Sequence, residues 1–300
     1  MVETVRESDG TWSFDYTIFD RYVEFMAGQG IDKAIDCFTM VPWEMKFRYL
    51  DSVSGEYRFL DAPTSSSEYK ELWTATLQSL AMHLREKGWF EKSYIFMDER
   101  GLDQMLDALA VANKAVPDFK MGLAGSYHPE LVDALAIYSL GCNSYFSEEE
   151  LQRRCDKGMV SMRYTCCAPG QFSNNDPADS SFLPVYSTAV GYDGYLHWSF
   201  QNWNDKPMTD TRWRMFGPGD TFFIYPDGRS SVRYERFVEG IQLSEKIRLL
   251  REFMTADGDT QGIQRLENAL GPIRSVGMSA AVSSATIVND LSVAISLLSR

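Results

Sequence analysis

The sequence predicts an α/β architecture, a parallel sheet carrying helices on its outer face. Two observations predict it. Short runs rich in aromatic and β-branched residues alternate with helix-length amphipathic segments along most of the 300 residues. The alternation is strict, as parallel pairing requires, because a crossover must return the chain to the same end of the sheet. About six strand–helix units are present, against eight in a closed (β/α)8 barrel. The pattern therefore fits a barrel lacking two strands or an open sheet.

The elements follow in order. Residues 16–28 form an amphipathic helix, with Ile18, Phe19, Tyr22, Val23, Phe25 and Met26 on its apolar face and Gly28 and Gly30 ending it. A strand over 33–40 is left through Val41-Pro42-Trp43. A polar excursion over 51–67 precedes a long helix over 68–87, closed by Gly88. The next strand, 94–97, ends on two acids and leads to a helix over 102–114. A strand at 119–124, a short helix at 129–134 and a strand at 136–140 come next. A helix over 147–157 precedes a strand over 160–166 and a Gly-, Pro-, Asn- and Asp-rich loop over 168–179. A helix at 182–190 then leads to a strand at 195–200. Beyond Asp205 the chain is irregular, with Pro207, Pro218 and Pro226, until a helix over 231–254. Residues 256–262 read as a linker before two weaker helical segments. The domain division expected is a partial (β/α) barrel over 1–255 and a helical extension over 256–300.

Composition excludes several classes of function. A net charge of −13 repels a nucleic-acid backbone or an anionic membrane surface, and no run of Lys and Arg offsets it. Cys37, Cys142, Cys155, Cys166 and Cys167 form a sparse set without zinc-site spacing, and His83, His128 and His197 fall in different segments. No metal centre is expected. The first nine residues are polar, so no signal peptide is expected in this chain. Residues 276–298 are moderately apolar but interrupted by several serines, Asn289 and Asp290, which suits a docking helix and not a membrane span.

Chemistry concentrates at Ser93-Tyr94-Ile95-Phe96-Met97-Asp98-Glu99-Arg100. A buried strand here ends in adjacent carboxylates, at the end where α/β barrels place their chemistry. Acid pairs are the usual equipment for cleaving glycosidic bonds. Two roles stay open for Asp98: a member of such a pair, or the N-cap of the following helix with Glu99 in its first turn.

Further motifs occur in series: Gly191-Tyr192-Asp193-Gly194-Tyr195-Leu196-His197-Trp198, then Gly219-Asp220-Thr221-Phe222-Phe223-Ile224-Tyr225-Pro226. Arg229-Ser230-Ser231-Val232-Arg233-Tyr234-Glu235-Arg236 and Glu239-Gly240-Ile241 follow. Together with Asp98-Glu99-Arg100, the series resembles the catalytic domain of family 123 glycoside hydrolases, the retaining β-N-acetylgalactosaminidases, over about residues 10–251. The resemblance implies a (β/α)8 barrel, here incomplete at its N-terminal side. In the family a β-sandwich and the first two barrel strands come before the segment matched. A missing N-terminal region or self-association is then expected to complete the barrel.

The resemblance also implies a reaction: release of terminal β-linked N-acetylgalactosamine from a glycan, with the substrate's 2-acetamido oxygen as nucleophile and an oxazoline-type intermediate. No metal or organic cofactor is implied. Asp98 would orient the acetamido group and Glu99 would be the general acid and base. Trp43, Tyr127, His128, Tyr164, Trp198, Asn202 and Trp203, at or just beyond strand ends, are the candidate sugar contacts. Arg229, Arg233 and Glu235 are assigned to anchoring the helix they open. Two positions depart from the family pattern, Gly101 where proline is expected and His197 where arginine is common. The alternative function is a remnant that binds N-acetylhexosamine glycans without cleaving them. Family members are often exported.

Overall fold

The computed structural model describes residues 1–141, 143–165, 172–173, 175–276 and 283–299. Cys142, Cys166 and Cys167, with the expected last residue of the 160–166 strand, lie outside them. The chain divides into two compact units, Met1–Tyr138 and Ser139–Arg300.

The first unit runs β1 (Glu3–Arg6), β2 (Trp12–Asp15), α1 (Thr17–Gly28), β3 (Ile35–Phe38), β4 (Lys46–Asp51), β5 (Glu56–Asp61), α2 (Ser67–Glu86), β6 (Ser93–Met97), α3 (Leu102–Ala115) and β7 (Lys120–Gly125). The division between units falls within β8 (Ile137–Leu140). The second unit continues through α4 (Glu148–Asp156), β9 (Val160–Thr165), α5 (Ala178–Ala189) and β10 (Gly194–His197). A two-stranded ribbon of β11 (Ile224–Tyr225) and β12 (Arg229–Ser230) precedes α6 (Val232–Ala256), α7 (Thr260–Val276) and α8 (Ser284–Leu298).

The expected α/β class is what the structure has. Six strands form a sheet in the order β10-β9-β8-β7-β6-β3, with parallel registers at β3–β6, β6–β7 and β9–β10. This is the strand set of an incomplete (β/α) barrel. Its central strands are buried on both faces, which explains the unbroken apolar run Tyr94-Ile95-Phe96-Met97.

Three expectations need correction. The polar first residues and the 51–67 excursion are not irregular: β1, β2, β4 and β5 form a second sheet, ordered β2-β1-β4-β5. Phe47 and Tyr49 of β4 are half-buried, whereas Tyr57 and Phe59 of β5 lie on the opposite, exposed face beside Arg48, so no clean apolar–polar alternation marks the sheet. The helix expected at 129–134 is a single 3₁₀ turn, Pro129–Leu131. The linker at 256–262 shrinks to residues 257–259, because the Asp259 side chain accepts the Gly262 N–H at 2.8 Å and starts α7 at once.

Each unit has its own packing logic. In the second, α5 to α8 share one apolar core in which Phe182, Val185, Ile247, Leu266, Leu270, Leu291 and Ile295 are buried. Gly240 of α6 lets that helix press against α5, since a Cβ there would lie 2.4 Å from the Ser181 carbonyl oxygen. In the first, three residues in register across neighbouring strands, Phe38, Phe96 and Gly122, make one layer. The Phe38 and Phe96 rings stack with centroids 4.6 Å apart. Gly122 leaves the space that Phe96 fills: a Cβ there would sit 2.5 Å from the ring.

That layer yields a stability prediction. Gly122→Ala is expected to cost about 1–3 kcal/mol by overpacking. The measurement is the denaturant midpoint at unchanged slope. Because shortening Phe96 vacates the contested volume, the double variant Gly122→Ala/Phe96→Leu is expected to lose less than the sum of the two single losses.

Candidate active site

In the first unit the site is built on the end of β6. Met97 closes the strand, and the chain turns through Asp98, Glu99 and Arg100 before α3. Successive strand residues face opposite ways, so Asp98 continues the face of Phe96. The residue flanking α3 is Gly101, which has no side chain to cap with, so Asp98 is not the N-cap. One Asp98 carboxylate oxygen instead accepts the Glu99 backbone N–H at 2.9 Å. Its other oxygen has no hydrogen-bond partner among the described residues.

Glu99 differs from its neighbour. It is exposed as a residue, yet its carboxyl titrates above the ordinary glutamate range. Partial loss of hydration raises it first, and the adjacent Asp98 charge adds to the effect.

Arg100 joins the pair to Trp43. Its guanidinium donates to the Trp43 carbonyl oxygen at 3.2 Å and lies 4.9 Å from the indole centroid. Trp43 is 64% exposed, so one aromatic surface remains open to solvent beside the acids. Tyr127 and His128 follow β7, both half-buried. Their loop is clamped by buried Tyr138, whose hydroxyl donates to the Ser126 carbonyl oxygen at 2.6 Å and accepts the His128 N–H at 2.9 Å.

In the second unit Tyr164 is buried near the end of β9, against Gly141, where a Cβ would approach its hydroxyl to 3.1 Å. Trp198 follows β10 directly. Its indole N–H donates to the Asp220 carboxylate at 2.8 Å and its ring packs on Phe216 at 4.4 Å. The Asn202 backbone pairs with Thr221 in both directions, at 3.0 and 2.8 Å. Trp203 donates its indole N–H to the Ile224 carbonyl oxygen at 2.9 Å, which ties it to the β11 ribbon.

The helix-opening motif does anchor α6. Arg233 donates to the Phe222 carbonyl oxygen at 2.8 Å. Ser231 donates to the Phe223 carbonyl oxygen at 2.7 Å and caps α6 by accepting the Tyr234 N–H. Glu235 accepts from Ser230, whereas Arg229 is exposed on β12. Sequence reasoning passed over Tyr138, Phe216 and Asp220. Only Asp220 carried a signal, an acid inside an apolar motif. Among the described residues no group of three or more His, Cys, Asp or Glu is placed to hold a metal ion.

A family model for the glycoside hydrolase 123 catalytic domain matches residues 1–250. The solved structure of a family 123 glycoside hydrolase from Clostridium perfringens, described for its hydrolysis of glycolipid glycans, superposes with a TM-score of 0.86 at 25% identity. The match covers 100% of this chain and 58% of that one, so the chain spans less than two thirds of its solved relative. No curated protein matches it.

The loop after the acids gives a second prediction. Gly101 has φ −62°, the value a proline ring imposes, and the nearest atom to an added Cβ is 3.8 Å away. Gly101→Pro is expected to raise stability by about 0.4–1 kcal/mol, by restricting the unfolded chain. Thermal unfolding measures it. A lower midpoint would mean that Arg100 cannot take the extended conformation a following proline demands.

Proposed function

Because the chain belongs to glycoside hydrolase family 123 over residues 1–250, we propose that it removes terminal β-linked N-acetylgalactosamine from glycans with retention of configuration. The supporting observation is the divergence of the acid pair. Glu99 has a raised pKa while Asp98, its neighbour, keeps a carboxylate oxygen unoccupied.

The proposed route needs no cofactor, because the nucleophile comes with the substrate. Asp98 accepts a hydrogen bond from the acetamido N–H, which turns the acetamido oxygen toward the anomeric carbon. As that oxygen attacks, positive charge develops on the amide, and the anionic Asp98 stabilises it. Glu99 gives its proton to the departing glycosidic oxygen. An oxazolinium ion forms with its N–H held by Asp98, and Glu99, now a carboxylate, takes a proton from the water that opens it. Substrate-assisted retention of this kind stands outside the two-carboxylate nucleophile scheme.

The remaining residues serve the sugar. Trp43 in the first unit, and Trp198, Trp203 and Tyr164 in the second, are each proposed as sugar contacts. Tyr127, His128 and Asn202 are proposed as hydroxyl contacts. The glycolipid glycans of the solved relative make an N-acetylgalactosamine-terminated glycolipid the first natural substrate to test.

The test is hydrolysis of a chromogenic β-N-acetylgalactosaminide by the purified chain and two variants. Glu99→Gln is expected to lower kcat by about 10²–10⁴-fold through loss of the general acid. Asp98→Asn is expected to lower it by about 10²–10³-fold through loss of charge stabilisation. A gluco-configured substrate tests sugar preference in the same assay. Saturable binding without turnover would replace this reading with that of a binding remnant.

The pH profile carries its own sign. A general acid must be protonated, so the rate falls as pH rises through the Glu99 pKa. Asp98 raises that pKa, so the residual activity of Asp98→Asn is expected to lose its basic limb at lower pH than the parent. An unmoved limb would assign it to another group.

A further inference from the structure

The irregular segment between β10 and β11 contains an acid that the proposed reaction does not use. Asp220 is 1% exposed. One of its carboxylate oxygens accepts the Trp198 indole N–H at 2.8 Å; the other lies 3.8 Å from His197 Nε2. Its backbone carbonyl oxygen is 2.6 Å from the same His197 nitrogen. That bond requires the proton on Nε2, and His197 Nδ1 is buried without a partner. Burial lowers the His197 pKa, opposed by the Asp220 carbonyl oxygen and carboxylate.

The backbone is shaped to bring this acid inward. Gly219 has φ +91°, and a Cβ there would lie 2.3 Å from Ser173 Oγ and 2.8 Å from Ser173 N. Only glycine tolerates both the conformation and the approach. Burial raises the Asp220 pKa, and His197, the Trp198 hydrogen bond and Arg233, whose guanidinium binds the Phe222 carbonyl oxygen, act against that rise. Burying a carboxylate where a neutral acceptor would also bind an indole is otherwise unfavourable. The arrangement constrains one atom outside the cluster, the Trp198 Nε1. With Phe216 packed 4.4 Å from the ring, that hydrogen bond fixes the indole plane.

We propose that Asp220 is a positioning residue for the sugar site: its buried carboxylate holds the Trp198 indole in the plane that receives the apolar face of the N-acetylhexosamine. The inference rests on the reading of Trp198 as a sugar contact. It adds a partner through which that contact acts. A flat surface held in place before binding loses less freedom on binding, so its loss appears in affinity more than in the chemical step.

The experiment compares Asp220→Ala, Asp220→Asn, Trp198→Phe and the double variant Asp220→Ala/Trp198→Phe. The first readout needs no sugar. The near-UV circular dichroism of Trp198, isolated by subtracting the Trp198→Phe spectrum, is expected to vanish in Asp220→Ala. It is expected to persist in Asp220→Asn, whose amide oxygen still accepts the indole N–H. An unchanged signal in Asp220→Ala overturns the positioning role whatever the protein does to glycans.

The second readout is KM and kcat for the chromogenic β-N-acetylgalactosaminide. Asp220→Ala is expected to raise KM about tenfold with kcat within about threefold, and Asp220→Asn to restore it. The double variant should be no worse than Trp198→Phe alone. Additive losses would mean that Asp220 acts elsewhere and would overturn the proposal. If the parent chain does not turn over, the dissociation constant of free N-acetylgalactosamine replaces KM. Failure of the hydrolase reading then remains separate, because the dichroism result stands on its own. Should Asp220→Ala not fold, Asp220→Leu supplies a similar volume without an acceptor, and the same outcomes decide.

Discussion

The acid pair depends on a packing constraint one residue beneath it. Phe38, Phe96 and Gly122 lie in register on three adjacent strands, two large rings and a missing side chain. The buried Phe96 ring fills the space that Gly122 leaves, and the half-exposed Phe38 ring stacks against it. Asp98 continues the face of Phe96, so the direction in which the carboxylate leaves the strand is inherited from that layer. Full burial of a phenylalanine side chain contributes about 1.5–3 kcal/mol, enough to hold the strand end against an exposed loop.

The second unit solves a different problem. Between β10 and α6 the chain has little regular structure to satisfy its backbone, and side chains of this segment and of the start of α6 supply the missing bonds. Ser231 both caps α6 and binds the Phe223 carbonyl oxygen; Arg233 takes Phe222; Trp203 takes Ile224; Thr221 pairs with Asn202. A motif such as Asp220-Thr221-Phe222-Phe223 is thus a folding instruction for a loop, with its phenylalanines buried and its polar groups tied to named partners. The aromatic residues attached to that loop acquire fixed positions without belonging to a helix or a strand.

Much of this was legible in the sequence, for physical reasons that differ by element. The central strands of the parallel sheet were visible because strands buried on both faces are apolar throughout, and Tyr94-Ile95-Phe96-Met97 is the clearest case. The small sheet was not, because β5 is exposed along nearly its whole length, Tyr57 and Phe59 included. Asp98 and Glu99 could be found because two acids at the end of an apolar run have few reasons to be there. The N-cap role for Asp98 remained open in sequence and was closed only by the placement of Gly101 before α3. Asp220 was missed because its partner Trp198 lies 22 residues away, joined only by the fold.

The proposed substrate-assisted route differs from a two-carboxylate double displacement. A double displacement through a glycosyl-enzyme places nucleophile and acid on opposite sides of the sugar, about 5 Å apart, usually by using separate strands. Asp98 and Glu99 leave the same strand end, and the Asp98 carboxylate is folded back onto the Glu99 N–H. That contact withdraws one oxygen from any attack on an anomeric carbon and leaves the other as a hydrogen-bond acceptor. In the proposed reaction that acceptor takes the acetamido N–H while the partly desolvated Glu99 delivers a proton. The nucleophile of that reaction is supplied by the substrate, so neither carboxylate has to reach the anomeric carbon.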